Sequence, residues 1–313
     1  MKKFKGWMLT FVLILVVGLI ACGTNDRAVR SENGNIPTGP EDSSSPVIDG
    51  NAARQPAEIR TADGRVLEGF YYPSKVADAP AIVLMHWAPG SMDDWDAIAL
   101  WLQNQPGDSN APQSGTDPYH DPGWFPEMPA EVSFAVLIFN FGDYGSSQYG
   151  GSRESLVEDA RAALQYAASL PGTNAHQVSA IGASIGADGV ADGCYLFNDA
   201  GEKGTCVGVL SFSPGNYLTR EFSYGQAVEM INLSGYPVWC LAAEGDGESP
   251  DLCQAIPGAS NQSFIFPGRA HGMDLIDPDL LPASPAVGLN GLELVQEFLE
   301  RVYNIDLNET DLP

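Results

Sequence analysis

The stretch "QVSAIGASIGADGVADG" (residues 177–193) decides the fold. Its first half, Gln177 to Ser184, reads as a strand, and the residues from Ile185 onward read as a helix. At the junction stand Gly182, Ser184 and Gly186, a Gly-x-Ser-x-Gly pattern. In a chain of 313 residues with 34 glycines, such a pattern carries weight only through its context. The question is whether the rest of the chain supplies a sheet in which this turn has a purpose.

Working outward, the flanking segments alternate between strands and helices. Upstream, "AEIRTADGRVLEGFYYP" (57–73) has two β-rich runs around Asp63-Gly64 and predicts a hairpin. "APAIVLMHW" (79–87) is a continuous apolar run, as expected for a strand buried on both faces. "SMDDWDAIALWLQNQ" (91–105) opens with Ser91 as an N-cap and places Trp95, Ile98, Ala99 and Leu102 on one helical face. Residues 104–131 form a Pro/Gly/Asp-rich insertion carrying Tyr119, Trp124 and Phe125. Then come strand "FAVLIFNF" (134–141), turn "GDYGSSQYGG" (142–151) and helix "SLVEDARAALQYAASL" (155–170).

Downstream of the junction are strands "CVGVLSFSP" (206–214), "PVWCLAAEG" (237–245) and "QSFIFPG" (262–268), then a last helix, "GLNGLELVQEFLERVY" (288–303). This alternation predicts an α/β domain: a mostly parallel central sheet with helices on both faces. Ligands of such sheets bind beyond the carboxyl ends of the strands, where Ser184 falls.

The beginning of the chain reads differently. Lys2, Lys3 and Lys5 precede an apolar stretch, Trp7 to Ile20, that is short for a membrane span. It ends in Leu19-Ile20-Ala21-Cys22, which resembles the bacterial lipobox. That resemblance implies a signal peptide over 1–21 and a lipid on Cys22; the alternative is an uncleaved anchor helix. Either way the chain is exported and tied to a membrane. Residues 22–56 are rich in Asn, Ser, Pro, Gly and charge and read as a flexible tether. Residues 57–313 form a single domain.

Forty Asp and Glu against 15 Lys and Arg give a formal net charge of −25, which disfavours nucleic acid, anionic lipid surfaces and phosphate-rich substrates. Besides Cys22 the chain has Cys194, Cys206, Cys240 and Cys253. In an exported domain these suggest disulfides, with three possible pairings; local pairing, Cys194–Cys206 and Cys240–Cys253, is preferred to free buried thiols. The chain contains no Cys-x-x-Cys and only four His, so no zinc cluster is expected.

With its segments in this order, residues 57–304 resemble the α/β-hydrolase superfamily, especially its esterase and dienelactone-hydrolase-like branches. Dienelactone hydrolase proper has Cys where this chain has Ser184. The resemblance implies Ser184 as nucleophile on a sharp strand-to-helix turn, with an acid and then a His following in chain order. His271 in "PGRAHGMDL" is the one His after Ser184. The acid belongs after a late strand, where Glu244 and Asp246 stand. The family's Gly-x-x-Asp-x-x-x-Pro pattern favours Asp246, with Pro250 matching and Ala243 replacing the leading Gly. A calcium loop in "EGDGESPD" lacks the regular ligand spacing.

The resemblance further implies an oxyanion hole from the N–H groups of Ile185 and Ala88, the latter in "HWAPGSMDDW", where Trp87 replaces the usual Gly. Trp87 either lines an acyl pocket or packs in the core. Trp124 and Phe125 either form a rim or belong to a surface loop. The segment between Ser184 and Asp246 leaves no room for a large cap domain.

The expectation is therefore an envelope-anchored serine hydrolase acting on small-molecule carboxylic esters, without a metal or organic cofactor. A peptidase or acyltransferase would use the same triad. From another class, a non-catalytic lipoprotein would use the fold to bind a ligand or partner.

Overall fold

The computed structural model describes residues 54–104, 122–201, 203–218, 221–256 and 258–307. Cys22, the leader and most of the tether lie outside them, as does Tyr119. Strands β1 (Gln55–Arg60) and β2 (Val66–Tyr72) form the expected antiparallel hairpin, with Gly64 at φ 88° in the turn. The remaining strands are β3 (Ala79–Met85), β4 (Ala135–Phe139), β5 (Thr173–Ala183), β6 (Cys206–Phe212), β7 (Val238–Ala243) and β8 (Gln262–Phe266). They join one eight-stranded sheet in the order β1-β2-β4-β3-β5-β6-β7-β8, antiparallel through β2/β4 and parallel from there on.

Helices α1 (Asp96–Gln103), α2 (Glu154–Ser169), α3 (Ile185–Asp199), α4 (Tyr224–Leu233), α5 (Ser249–Gln254) and α6 (Gly291–Tyr303) cover both faces. Side chains alternate along each strand, so the sheet feeds two cores. Ala81, Val83, Met85, Val178 and Ala180 face α2 to α5. Ile82, Leu84, Ile181 and Ala183 face α1 and α6. Buried on both sides, these strands show the continuous apolar runs of the sequence. Tyr303 of α6 donates to Ser179 Oγ (2.7 Å) and Ala81 O (3.1 Å), tying the last helix to the central strands.

Three details differ from the sequence reading. The predicted helix over 91–105 is a 3-10 turn (Met92–Trp95) that passes into α1; Ser91 caps the turn, and Trp95, Ile98, Ala99 and Leu102 are buried as expected. Helices α4 and α5 were not anticipated. The start of α4 carries a capping box, Ser223 with Gln226, and α5 has Pro250 in its first turn. The open edge of β8 is covered by a non-strand segment, through Ala283 N–H to Ile265 O (2.7 Å) and Ile265 N–H to Ser284 O (2.8 Å).

Both local disulfides are present: Cys194 of α3 with Cys206 of β6, and Cys240 of β7 with Cys253 of α5. Each pins a helix to a strand beside it. Among the described residues, no helix is long and apolar enough to cross a membrane.

Candidate active site

Ser184 stands between the end of β5 and the first residue of α3, with φ 54° and ψ −115°. A serine at positive φ is strained, and the surroundings hold it there. Its N–H donates to Phe212 O (2.8 Å), and its C=O accepts from the N–H groups of Ala187 (2.9 Å) and Asp188 (3.3 Å). The flanking glycines are required by close backbone approach. A Cβ on Gly182 would lie 2.2 Å from Gly186 O, and one on Gly186 would lie 2.2 Å from Met85 O. The Gly-x-Ser-x-Gly pattern thus reports how tightly β5, α3 and β3 meet. Ile185 opens α3, so its N–H is a donor that no preceding helical carbonyl can use, at the positive end of the helix dipole.

His271 lies on the loop after β8 and Asp246 on the loop after β7, at the same end of the sheet as Ser184. His271 Nδ1 is 2.8 Å from Asp246 Oδ1. Among the described residues the other carboxylate oxygen, Oδ2, is buried without a hydrogen-bond partner, so the imidazole is what chiefly offsets the burial of this side chain. The same hydrogen bond raises the His271 pKa above its ordinary 6.5, against the opposing effect of partial burial. Glu244, two residues before Asp246, is exposed, and its N–H donates to Phe266 O (2.9 Å).

The His271 loop is seated on three neighbours. Gly272, at φ 57°, donates its N–H to Ser213 Oγ (2.9 Å). A Cβ on Gly272 would come within 3.0 Å of the Trp87 ring and 3.6 Å of Ala183 Cβ, the residue before Ser184. The His271 loop, the end of β5 and the Trp87 ring therefore meet at one place. Trp87 is half-buried, and its indole N–H donates to Asp94 Oδ2 (2.7 Å).

Ala88 follows Trp87 on this loop and is exposed. The loop begins from His86, which is fully buried. The Phe141 N–H donates to His86 Nε2 (3.1 Å), which places the ring proton on Nδ1 facing Trp87 O (2.7 Å). Burial pushes the His86 pKa down to about 4, so the ring stays neutral and fixes the loop that carries Trp87 and Ala88.

Trp124 and Phe125 pack beside α1 and α6. Phe125 stacks on Trp101 of α1, with centroids 5.6 Å apart and planes at 23°. The Trp101 indole donates to Pro126 O (2.8 Å), and Gln296 of α6 donates to Glu127 O (3.2 Å). Trp124 packs on the same apolar core. The 124–127 segment thus packs against α1 and α6 through Trp101 and Gln296, with Trp124 and Phe125 half-buried. Sequence reasoning passed over His86, Asp94, Ser213 and Asp188. No motif marks them, and only the fold brings them to the site. Among the described residues, no three His, Cys, Asp or Glu side chains converge as a metal site.

The fold is that of the α/β-hydrolases. An esterase of Pyrococcus furiosus superposes with a TM-score of 0.55 at 14% identity, covering 81% of this chain and 92% of that one. The α/β-hydrolase GrgF of Penicillium superposes at 0.57 with 13% identity, covering 81% and 100%. EstE1, a thermostable carboxylesterase cloned from a metagenomic library, superposes at 0.52 with 17% identity, covering 80% and 90%. No family model matches the sequence, and no curated protein does.

Proposed function

We propose that the protein is a serine hydrolase that cleaves small-molecule carboxylic esters through an acyl-Ser184 intermediate. The observation that carries this reading is Ser184 on its strained turn at the sheet end that also holds the Asp246–His271 pair. His271 Nε2 takes the Ser184 Oγ proton as Oγ bonds to the ester carbonyl carbon. The N–H groups of Ile185 and Ala88 receive the developing oxyanion. His271 then protonates the departing alcohol, and a water activated by the same imidazole releases the acid. Asp246 orients the imidazole and stabilises its cation. The esterases among the structural neighbours are consistent with this chemistry.

A fluorophosphonate probe tests the reading directly, because it labels an activated serine. Labelling of the wild type that disappears in Ser184→Ala and His271→Ala supports it; an unlabelled wild type overturns it and favours a non-catalytic binding role. Hydrolysis of aryl esters then separates an esterase from a peptidase or acyltransferase.

The second part of the proposal is location. Lys2, Lys3 and Lys5, the apolar Trp7–Ile20 stretch and the Leu19-Ile20-Ala21-Cys22 ending support a lipid anchor on Cys22, facing the extracytoplasmic side of the bacterial envelope. Palmitate incorporation that is lost in Cys22→Ser supports the anchor; incorporation that persists removes it.

A further inference from the structure

Asp188 lies four residues after Ser184 in the first turn of α3, and its carboxylate is buried. Among the described residues, no arginine or lysine forms an ion pair with it. Instead it accepts backbone N–H groups from the loop after β6. Gly215 donates to Oδ1 (3.0 Å), Tyr217 donates to Oδ2, and Asn216 and Leu218 direct their N–H groups at the same carboxylate.

This loop needs such a clamp. Within four residues it contains two non-glycine residues at positive φ, Ser213 at 61° and Asn216 at 54°. Conformations of that kind persist only where several contacts over-determine them.

The loop also touches both partners of the proposed nucleophile. Ser213 Oγ accepts the N–H of Gly272 (2.9 Å), the residue after His271. Tyr217 lies beside Ser249, whose own N–H donates to Asp246 O (3.1 Å). A single carboxylate on the nucleophile's helix thereby sets the loop that braces the base on one side and the acid on the other.

We propose that Asp188 is a positioning residue, which holds the 213–218 loop so that His271 and Asp246 stay aligned with Ser184. The inference rests on the serine-hydrolase reading for its effect on rate, and on geometry alone for its effect on the imidazole. Burying an anion is costly, and here backbone dipoles offset that cost in place of a countercharge. Asp192, one turn further along α3, and Tyr224 of α4 are buried close by and add no cation.

Two variants and two measurements test the proposal. Asp188→Asn keeps the shape but turns an N–H₂ group toward N–H donors. Ser213→Ala removes only the hydroxyl that meets Gly272. In folded protein, each is expected to lower kcat on an aryl ester about 10- to 100-fold, as misplaced catalytic groups do, while KM moves less than about threefold. The double variant should cost less than the product of the two.

The imidazole resonances of His271, titrated by NMR, should show its pKa falling toward 6.5 in both variants as the contact with Asp246 loosens. A folded Ser213→Ala or Asp188→Asn protein with wild-type kcat and an unshifted His271 titration overturns the proposal. If Asp188→Asn does not fold, Ser213→Ala decides alone. If the wild type hydrolyses no ester, the esterase reading fails, and the His271 titration still decides whether Asp188 positions the pair.

Discussion

His271 Nδ1 stands 2.8 Å from Asp246 Oδ1, while Glu244, only two residues from Asp246, is exposed to solvent. The difference comes from the turn that follows β7. Asp246 N–H returns to Ala243 O (3.1 Å), and Ser249 N–H returns to Asp246 O (3.1 Å), which folds the Asp246 side chain back over the strand ends. In this geometry Asp246→Asn replaces the anion that stabilises the imidazolium and favours the wrong ring tautomer. Ester turnover should fall on the order of 10⁴-fold. Glu244→Gln should stay close to wild type. Initial rates of both variants, with circular dichroism to establish folding, check this; the opposite ranking would transfer the acid role to Glu244.

The pH dependence follows from the same pair. Hydrogen bonding to Asp246 raises the His271 pKa above 6.5, and the proposed base works only when neutral. The rate should therefore rise with pH, with an acid-limb midpoint above 6.5, and the limb should move to lower pH in Asp246→Asn. Stability has the opposite sign. A base whose folded pKa is raised stabilises the fold fully below its unfolded value, near 6.5, and that contribution is lost as pH rises through the folded value. A pH–rate profile of kcat/KM with a midpoint well below 6.5 contradicts the assignment.

Much of this architecture was legible because it rests on local patterns. The buried strands read as apolar runs because both sheet faces are covered, and Gly182 and Gly186 stand out because the backbones there leave no space for a Cβ. The short helices α4 and α5 were hidden for a local reason as well. Tyr224, Ala227, Val228 and Ile231 of α4 are buried, but the helix lies amid turn-forming residues and is only 10 residues long. The support of the site was not legible at all. Ser213, Asp94, Asp188 and His86 are ordinary residue types, and their roles come from partners such as Gly272, Trp87, Tyr217 and Phe141, brought to them by the sheet order. Two aromatics of the 104–131 insertion also depend on the fold. The sequence leaves Trp124 and Phe125 open between a substrate rim and a surface loop, and in the fold Phe125 stacks on Trp101 while Trp124 packs on the core beside α1 and α6.

The disulfides give a prediction about both stability and compartment. Cys194–Cys206 and Cys240–Cys253 each close a short loop, with separations of 12 and 13 residues. Chain-entropy arguments give roughly 2–3 kcal/mol for each, less any strain. Peptide mapping of the purified protein under non-reducing conditions should recover these two pairs and no others. Reduction should lower the urea midpoint. Four alkylatable thiols in the native protein contradict the pairing.

Ser184→Ala is the most direct test of the chemistry, because the change is chemically large and structurally small. The backbone at Ser184 is held by Phe212 O, by the helix hydrogen bonds of Ala187 and Asp188, and by the close packing of Gly182 and Gly186, none of which uses the hydroxyl. Ala has the same Cβ and therefore carries the same strain at φ 54°, and loss of one oxygen leaves almost no cavity. The melting temperature should stay near that of the wild type. Turnover of a short-chain aryl ester should nevertheless fall on the order of 10⁴-fold or more, leaving the contributions of the oxyanion donors and binding. His271→Ala should lose a similar factor, and the double variant little more, because a nucleophile and its base act as one unit. Intact-mass spectrometry after rapid acid quench should find an acyl adduct on the wild type and none on Ser184→Ala. A folded Ser184→Ala protein that retains wild-type turnover places the reaction at another residue.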